Sequence, residues 1–376
     1  MYQRVLNLTS LLKRKSIFLF GPRGSGKTTL IRHALPDAVV IDLLESQTFR
    51  YYLKNPSLLA EQKKAPLVVI DEVQKLPELL DEVHRLIELE GLTFLLTGSS
   101  ARKLKRGGAN LLAGRAWWAS LFPLTSTEIP QFDLLNYLNR GGLPAVYPSD
   151  DYGEELRAYV GLYLREEIQN EAFTRNVVAF NEFLELMALS NGEEINFQSI
   201  AGDCGVSPNT IKNYIEILED TLIAFQLKGF TRTKRRKAIA RSKLYYFDIG
   251  VTNTLARRGD ILEGSELFGK AFEHFIVLET RACISYARTD VSMRYWRSTS
   301  KFEVDLILND RWAIEIKSAR QISDKHLKGL RALKEEGVIR NFAVVSCDPQ
   351  ERTTRDGIYI YPWKVYLEQL WKGVFF

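Results

Sequence analysis

Three cysteines (Cys204, Cys283 and Cys347) in 376 residues are too few and too far apart for a disulfide framework or a four-cysteine zinc site. Four histidines, none at HxxxH or HExxH spacing, exclude the zinc-protease helix. No apolar run approaches the ~18 residues of a membrane-spanning helix, so no membrane partner is expected. Met1–Lys15 lacks the charged start, apolar centre and small-residue cleavage site of a secretory signal. There is no internal repeat and no low-complexity tract. A reduced, cytoplasmic protein is the expectation. With 45% hydrophobic and 26% charged residues the chain can bury several cores, and at roughly 100–200 residues per domain its length predicts two to four domains.

Charge is unevenly placed. Net charge is +5, yet the stretch from Lys228 to Lys243 holds eight basic residues (Lys228, Arg232, Lys234, Arg235, Arg236, Lys237, Arg241, Lys243) and no acid. Without those eight the rest of the chain stands at −3. One basic block predicts an anionic partner at a defined place.

Near-continuous apolar runs at Ser16–Phe20, Ala38–Leu43, Leu67–Ile70 and Thr93–Thr97 read as strands of a buried parallel sheet, and Thr28–Leu35 and Leu79–Leu89 carry helical spacing. That alternation predicts a doubly wound α/β domain. Between Leu124 and Ser190 strand runs give way to helical segments punctuated by Gly141-Gly142-Leu143-Pro144. Residues 191–245 read as a small module. Beyond Leu262 a helix (Phe268–Tyr286) precedes strands at Ser292–Trp296, Phe302–Leu308, Trp312–Lys317, Phe342–Ser346 and Ile358–Tyr361, a second α/β domain.

The first strand runs into Gly21-Pro22-Arg23-Gly24-Ser25-Gly26-Lys27-Thr28, a full GxxxxGK[ST] match with a helix behind it. Glycines let backbone N–H groups curl around phosphate oxygens, and the helix start adds its positive end. Gly21, Gly24, Ser25, Gly26, Lys27, Thr28 and Thr29 are therefore the candidate nucleotide contacts, with Lys27 on the β/γ-phosphates and Thr28 on Mg²⁺. Leu67-Val68-Val69-Ile70 delivers Asp71 and Glu72 to a strand end, Asp71 for the metal and Glu72 to orient the attacking water. A third strand, predicted between the first two, ends in Thr97-Gly98-Ser99-Ser100. It offers Ser99, with Thr97 as the alternative, beside the γ-phosphate. Arg115 and Arg102 are candidate arginine fingers, on this or a neighbouring subunit.

Residues 1–128 resemble the AAA+ branch of phosphate-loop ATPases, the serine pair standing at that family's sensor. With Leu112-Ala113-Gly114-Arg115 and Gly141-Gly142-Leu143-Pro144, the chain resembles a bacterial and archaeal group of such ATPases that carry a C-terminal restriction-endonuclease-like region. The resemblance implies an α/β, multidomain chain: an AAA+ core (1–128), a helical lid (129–190), a winged helix-turn-helix with basic wing (191–245) and a restriction-endonuclease-like α/β domain (246–376). It also implies ATP and Mg²⁺ as cofactors, and a homo-oligomer with its ATP site at the subunit interface.

Within 191–245, Phe197–Asp203 reads as a short helix, Cys204-Gly205 as a turn, and Ser207-Pro208 as the cap and first position of a second helix. This is helix-turn-helix spacing, presenting Asn209, Thr210, Lys212 and Asn213 to a DNA groove. The basic block follows where a wing would lie, so Arg232, Lys234, Arg235, Arg236 and Lys237 are candidate phosphate contacts.

In Phe302–Lys317 two strands flank a three-residue turn, Asn309-Asp310-Arg311. Centred on Asp310, this hairpin pairs Asp305 with Glu315, Glu303 with Lys317 and Ile307 with Ala313. Strict alternation puts these six on one face and Phe302, Val304, Leu306, Leu308, Trp312, Ile314 and Ile316 on the other. Opposed carboxylates need a cation between them, which predicts a divalent metal (Mg²⁺ or Mn²⁺) on Asp305, Glu315 and Glu273 of the preceding helix, with Lys317 assisting a water. Asp-x9-Glu-x-Lys matches the PD-(D/E)XK motif of restriction-endonuclease-like folds. The expected function is a DNA-binding, Mg²⁺-dependent ATPase acting on DNA, branched DNA included, with a C-terminal domain that cuts it. The alternatives are an ATP-switched DNA- or partner-binding regulator with an inert cluster, and a protein-directed ATPase using the winged module as a scaffold.

Overall fold

The computed structural model describes residues 2–65, 67–100, 112, 114–164 and 176–376. Strands β1 (Ser16–Phe20), β2 (Val39–Asp42), β3 (Val68–Asp71), β4 (Phe94–Gly98) and β5 (Ala116–Ser120) form an all-parallel sheet in the order β2-β3-β4-β1-β5. Every residue of β1, β3 and β4 is buried because both sheet faces are covered, and this is why those runs are apolar without alternation. On one face Phe18, Ile70 and Leu96 pack with Leu79, Val83 and Leu86 of a helix. On the other, Ile17, Val69 and Leu95 meet Leu8, Leu12 and Ile31. The helices are α1 (Leu8–Leu12), α2 (Lys27–Ala34), α3 (Ser46–Lys54) and α4 (Leu79–Glu90). With β4 between β1 and β3, the phosphate loop, Asp71 and Thr97 arrive at one sheet edge.

The chain continues through α5 (Leu134–Arg140), α6 (Tyr152–Ala158) with one wide turn after it, α7 (Val177–Leu189), α8 (Phe197–Asp203), α9 (Pro208–Asp220), the antiparallel pair β6 (Ala224–Gly229) and β7 (Lys243–Tyr246), and α10 (Ile249–Leu255). Asn176, Asn196 and Ser207 cap α7, α8 and α9, each accepting a backbone N–H three residues on. Phe180, Phe183 and Leu184 of α7, Ile211, Tyr214 and Leu218 of α9, Tyr246 and Val251 share one core. The expected lid and winged module are thus packed as one body, and α10, beyond the expected boundary, closes it.

The C-terminal part comprises α11 (Glu266–Tyr286), β8 (Met293–Arg297), β9 (Glu303–Leu308), β10 (Trp312–Lys317), α12 (Lys328–Lys334), β11 (Asn341–Ser346), β12 (Arg352–Thr353), β13 (Ile358–Pro362) and α13 (Trp363–Trp371). Its eight-stranded sheet runs β12-β13-β11-β10-β9-β8-β6-β7. The expected boundary at 245/246 therefore cuts through a sheet. Strand β6 pairs in parallel with β8 (Lys228↔Arg294, Gly229↔Tyr295), so its second edge is satisfied by the C-terminal domain.

The β9–β10 hairpin has the predicted register near its turn: Leu308↔Trp312, Ile307↔Ala313 and Leu306↔Ile314. Asn309 and Asp310 take left-handed backbone angles, and the Arg311 N–H closes the turn on the Leu308 carbonyl. The predicted strict alternation fails further down. Against β8, Ile307 pairs with Arg294 but Val304 with Trp296, so Asp305 and Leu306 together face Tyr295 in a β-bulge. Val304 therefore joins Ile307 and Ala313 in the core beneath α12, whereas Leu306, Leu308, Ile314 and Ile316 lie in the core beneath α11. Both faces are buried.

Candidate functional site

The loop from Gly21 to Gly26 is shaped by glycines at Gly24 (φ 78°) and Gly26 (φ 93°), angles that a Cβ would strain. Lys27 is buried and folds its ammonium back onto the Gly21 and Pro22 carbonyls at 2.7 and 3.4 Å. Thr28 and Thr29 stand exposed on the first turn of α2, and Ser25 is buried with no partner for its hydroxyl among the described residues. Thr28 Oγ1 donates to Asp71 Oδ2 at 3.3 Å, and Asp71 Oδ1 accepts from the Thr97 hydroxyl. Thr28 and Asp71 thus juxtapose a hydroxyl and a carboxylate at the phosphate loop, a donor set that suits Mg²⁺.

Glu72 has a left-handed backbone (φ 58°), uncommon outside glycine, and its N–H donates to Thr97 Oγ1 at 3.1 Å. Its carboxylate accepts from Gln74 Nε2 and from Ser99 Oγ (3.3 Å), and Gln74 and Ser99 lie 3.2 Å apart. Both hydroxyl candidates therefore find a place, Thr97 on Asp71 and Ser99 on Glu72. The sequence reading missed Gln74, two residues past the acid pair. Arg115 forms an ion pair with Glu88 of α4. Arg102 lies outside the described residues.

A cleft of 1750 Å³ opens over the loop, walled by Tyr2–Thr9, by α2 and by Pro144, Ala145 and Pro148. Arg4 reaches the Ser25 carbonyl (2.7 Å), the Phe122 carbonyl (2.6 Å) and buried Glu128 (3.0 Å). The Tyr159 hydroxyl donates to the Arg23 carbonyl at 2.8 Å, its ring lying over Gly24. Gly141-Gly142-Leu143-Pro144 is more than punctuation. The Gly142 N–H donates to Asp248 Oδ2 at 2.7 Å, a Cβ at Gly141 would collide with that carboxylate, and Leu143 and Pro144 flank the phosphate loop. Burial pushes Asp248 up to about 6, against the N–H groups of Val251, Gly142 and Gly250. None of Arg4, Tyr159 and Asp248 carries a local signature, because each acts on residues more than a hundred positions away or on backbone.

A second polar cluster sits beside the bulge. Lys317 Nζ lies 2.6 Å from Glu315 and 3.4 Å from Asp305, and Asp305 Oδ2 also takes the Ile316 N–H at 2.7 Å. Lys243 of β7, 3% exposed, lies 2.6 Å from Glu303 and 3.6 Å from Glu273 of α11, whose carboxylate also accepts from Tyr245 at 2.6 Å. Burial opposes charge on both lysines, yet the surrounding anionic groups outweigh it and hold them protonated. Burial, with Asp305 second, raises the Glu315 carboxyl above its ordinary range.

This corrects one expectation. Glu303 does not face Lys317 but binds Lys243, because the bulge shifts the register. Among the described residues no three His, Cys, Asp or Glu side chains gather to hold a metal ion, and Asp305, Glu315 and Glu273 are instead contacted by Lys317 and Lys243. The Lys317 ammonium lies against both opposed side chains, Asp305 and Glu315, where a cation was expected.

On the helix pair, Asn209, Lys212 and Asn213 are exposed, whereas Thr210 is drawn into the cap of α9, bonded to Ser207. The basic block is less free than its sequence implies. Arg232 pairs with Asp310 at 2.6 Å, Arg236 with Glu335 and Glu336, and Arg241 with Glu194. Lys234, Arg235 and Lys237 are exposed and have no acidic partner among the described residues.

Comparisons with known proteins match three stretches of the chain. Residues 13–130 match the AAA domain family, residues 131–261 a domain of unknown function (DUF8612) and residues 268–366 another (DUF4143). An uncharacterized protein of Mycobacterium tuberculosis is 24% identical over 298 residues, 77% of this chain and 66% of that protein's length. One from Methanocaldococcus jannaschii is 26% identical over 308 residues, covering 72% and 67%. Among solved structures, replication initiator DnaA bound to AMPPCP and single-stranded DNA is 14% identical with a TM-score of 0.31, covering 56% of this chain and 85% of that one. The Aeropyrum pernix ORC1 protein in complex with DNA is 13% identical with a TM-score of 0.27, covering 67% and 92%. No described helix is long and apolar enough to cross a membrane. With the phosphate loop, the β2-β3-β4-β1-β5 sheet and the AAA match in register, residues 13–130 are a P-loop AAA+ ATPase domain.

Proposed function

We propose that this chain is an ATP-switched DNA-binding protein, in which hydrolysis at the phosphate loop resets the body carrying α8–α9. The observation that carries this reading is the Tyr159 hydroxyl on the Arg23 carbonyl, which joins the phosphate loop to that body. Lys27 would exchange the Gly21 carbonyl for phosphate oxygens. Thr28 and Asp71 would hold Mg²⁺, which when bound neutralises phosphate charge. Glu72, fixed by Gln74 and Ser99, would orient the attacking water. Asn209, Lys212 and Asn213 are the proposed groove contacts. Arg115 remains a proposed finger for a neighbouring subunit, which requires it to leave Glu88.

DNA cleavage is the second reading, favoured by the convergence of Asp305, Glu315 and Lys317. Lys317 and Lys243 engage these carboxylates, and no three of the ligand-type side chains gather among the described residues, so we assign binding rather than cutting to the C-terminal domain. The test is ATP hydrolysis with and without duplex DNA, for wild type, Lys27→Ala and Glu72→Gln. Linkage requires DNA to alter nucleotide affinity if nucleotide alters DNA affinity. An ATPase whose nucleotide affinity and turnover ignore duplex DNA contradicts the proposal, as does Mg²⁺-dependent cutting that Asp305→Ala abolishes.

A further inference from the structure

The segment 231–237 is built in an unusual way. Three consecutive backbone N–H groups, those of Lys234, Arg235 and Arg236, converge on the carboxylate of Glu336 at 2.8, 2.6 and 3.0 Å. Glu336 is 3% exposed and follows the C-terminal end of α12, where a helix dipole disfavours an anion. Burial opposes its charge too, but the N–H groups of Arg235 and Lys234 and the Arg236 guanidinium outweigh burial and hold it below its ordinary range. Arg236 does not point outward: it donates to the Ala332 carbonyl at 2.9 Å and to Glu336 at 3.2 Å, and lies over the Phe302 ring. Arg232 is held by Asp310, the Thr233 hydroxyl donates to the Arg236 carbonyl, and the Lys237 carbonyl accepts the Thr299 N–H. The backbone is tied at four successive residues, 234–237, and the basic side chains exposed without an ion-pair partner among the described residues are Lys234, Arg235 and Lys237.

We propose that this segment is a preset clamp for the phosphate backbone of duplex DNA, with Lys234, Arg235 and Lys237 touching phosphates and Glu336 as the positioning residue. It rests on the DNA-binding reading above and narrows it, since Arg236, turned inward, and Arg232, exposed but paired with Asp310, become ties rather than contacts. A fixed loop loses less freedom on binding than a mobile one. Three cations with no aromatic beside them suit evenly spaced phosphates. The exposed large hydrophobic side chains of the described residues include none between 190 and 261 or between 263 and 358. A membrane-seated loop would carry one, and a single-strand reader would offer exposed rings for stacking.

The test is binding of a short labelled duplex over a salt series, beside the matching single strand and anionic phosphatidylserine vesicles. The proteins are wild type, the triple variant Lys234→Gln/Arg235→Gln/Lys237→Gln, Glu336→Ala and Glu336→Gln, each checked by thermal unfolding. The triple variant changes only exposed side chains. It is expected to lose about tenfold or more in duplex affinity, and its salt slope to shrink by about 2.7, three contacts at ~0.9 each. Glu336→Ala keeps the cations, so its affinity falls with the wild-type slope retained, and Glu336→Gln, which keeps an acceptor oxygen, recovers part of the loss. A triple variant with wild-type affinity and slope overturns the clamp. Glu336→Ala binding as wild type overturns the positioning role. Wild type that binds vesicles or single strands but not duplex overturns the partner, and wild type that binds none of these sinks the DNA reading itself.

Discussion

Tyr159→Phe isolates the contact on which the switch depends. The substitution leaves the ring in place against Gly24 and removes only the hydroxyl that donates to the Arg23 carbonyl at 2.8 Å. One such bond contributes about 0.5–1.5 kcal/mol net, a factor of roughly two to twelve in any equilibrium that makes or breaks it. Neither Lys27 nor Glu72 touches the hydroxyl, so turnover at saturating ATP stays within about twofold while the nucleotide dependence of DNA affinity shrinks by that factor. The assay is a pair of DNA titrations, nucleotide-free and ATP-saturated, on wild type and Tyr159→Phe. If the ratio of the two affinities is the same in both proteins, the contact transmits nothing and the reasoning fails.

Three further outcomes follow from the same coordinates. Glu72→Gln should cut hydrolysis by about a hundredfold or more while nucleotide binding persists, a split that steady-state turnover and direct titration resolve. Burial raises the carboxyl pKa of Asp248 to about 6 and that of Glu279, on α11 beneath the Ser126 N–H, to about 7. Folded pKa values above unfolded ones mean that this stabilisation is complete below about pH 4 and is lost as pH rises through 6–7, by ~1.4 kcal/mol per unit per group. The melting temperature should therefore fall between pH 5 and pH 9, and a flat or rising profile contradicts the assignment. Lys243→Met takes the buried cation from half-buried Glu273 and Glu303, of which Glu303 keeps Arg297 at 3.6 Å, at a cost of about 1–3 kcal/mol by urea denaturation, and adding Glu273→Gln should return part of it.

What the sequence disclosed was local. Gly21–Thr28, the Asp71-Glu72 pair and the Asn309-Asp310-Arg311 turn announce themselves because the chemistry and the backbone geometry lie within a few residues. The hairpin register followed from that turn, but only as far as Leu306↔Ile314. The bulge at Asp305–Leu306 answers to strand β8 and has no mark of its own in β9, and with it went the predicted faces and the Glu303–Lys317 pair. The basic block misled for the same reason. Its acids come from Asp310, Glu335 and Glu336, far along the chain, so a run without acids in sequence is partly neutralised in space. The lysines among the C-terminal carboxylates were half legible: Lys317 stands in the motif, whereas Lys243 enters from a strand expected to belong to a separate wing.

The central claim is that nucleotide at the phosphate loop sets the affinity of the rest of the chain for DNA. The most direct measurement is duplex DNA affinity of Glu72→Gln, nucleotide-free and saturated with Mg-ATP, at fixed salt. The account predicts that the two dissociation constants differ by about fivefold or more, and that Lys27→Ala, unable to grip phosphates, shows one value in both conditions. Equal affinities in both states of Glu72→Gln, with ATP shown to be bound, would contradict it.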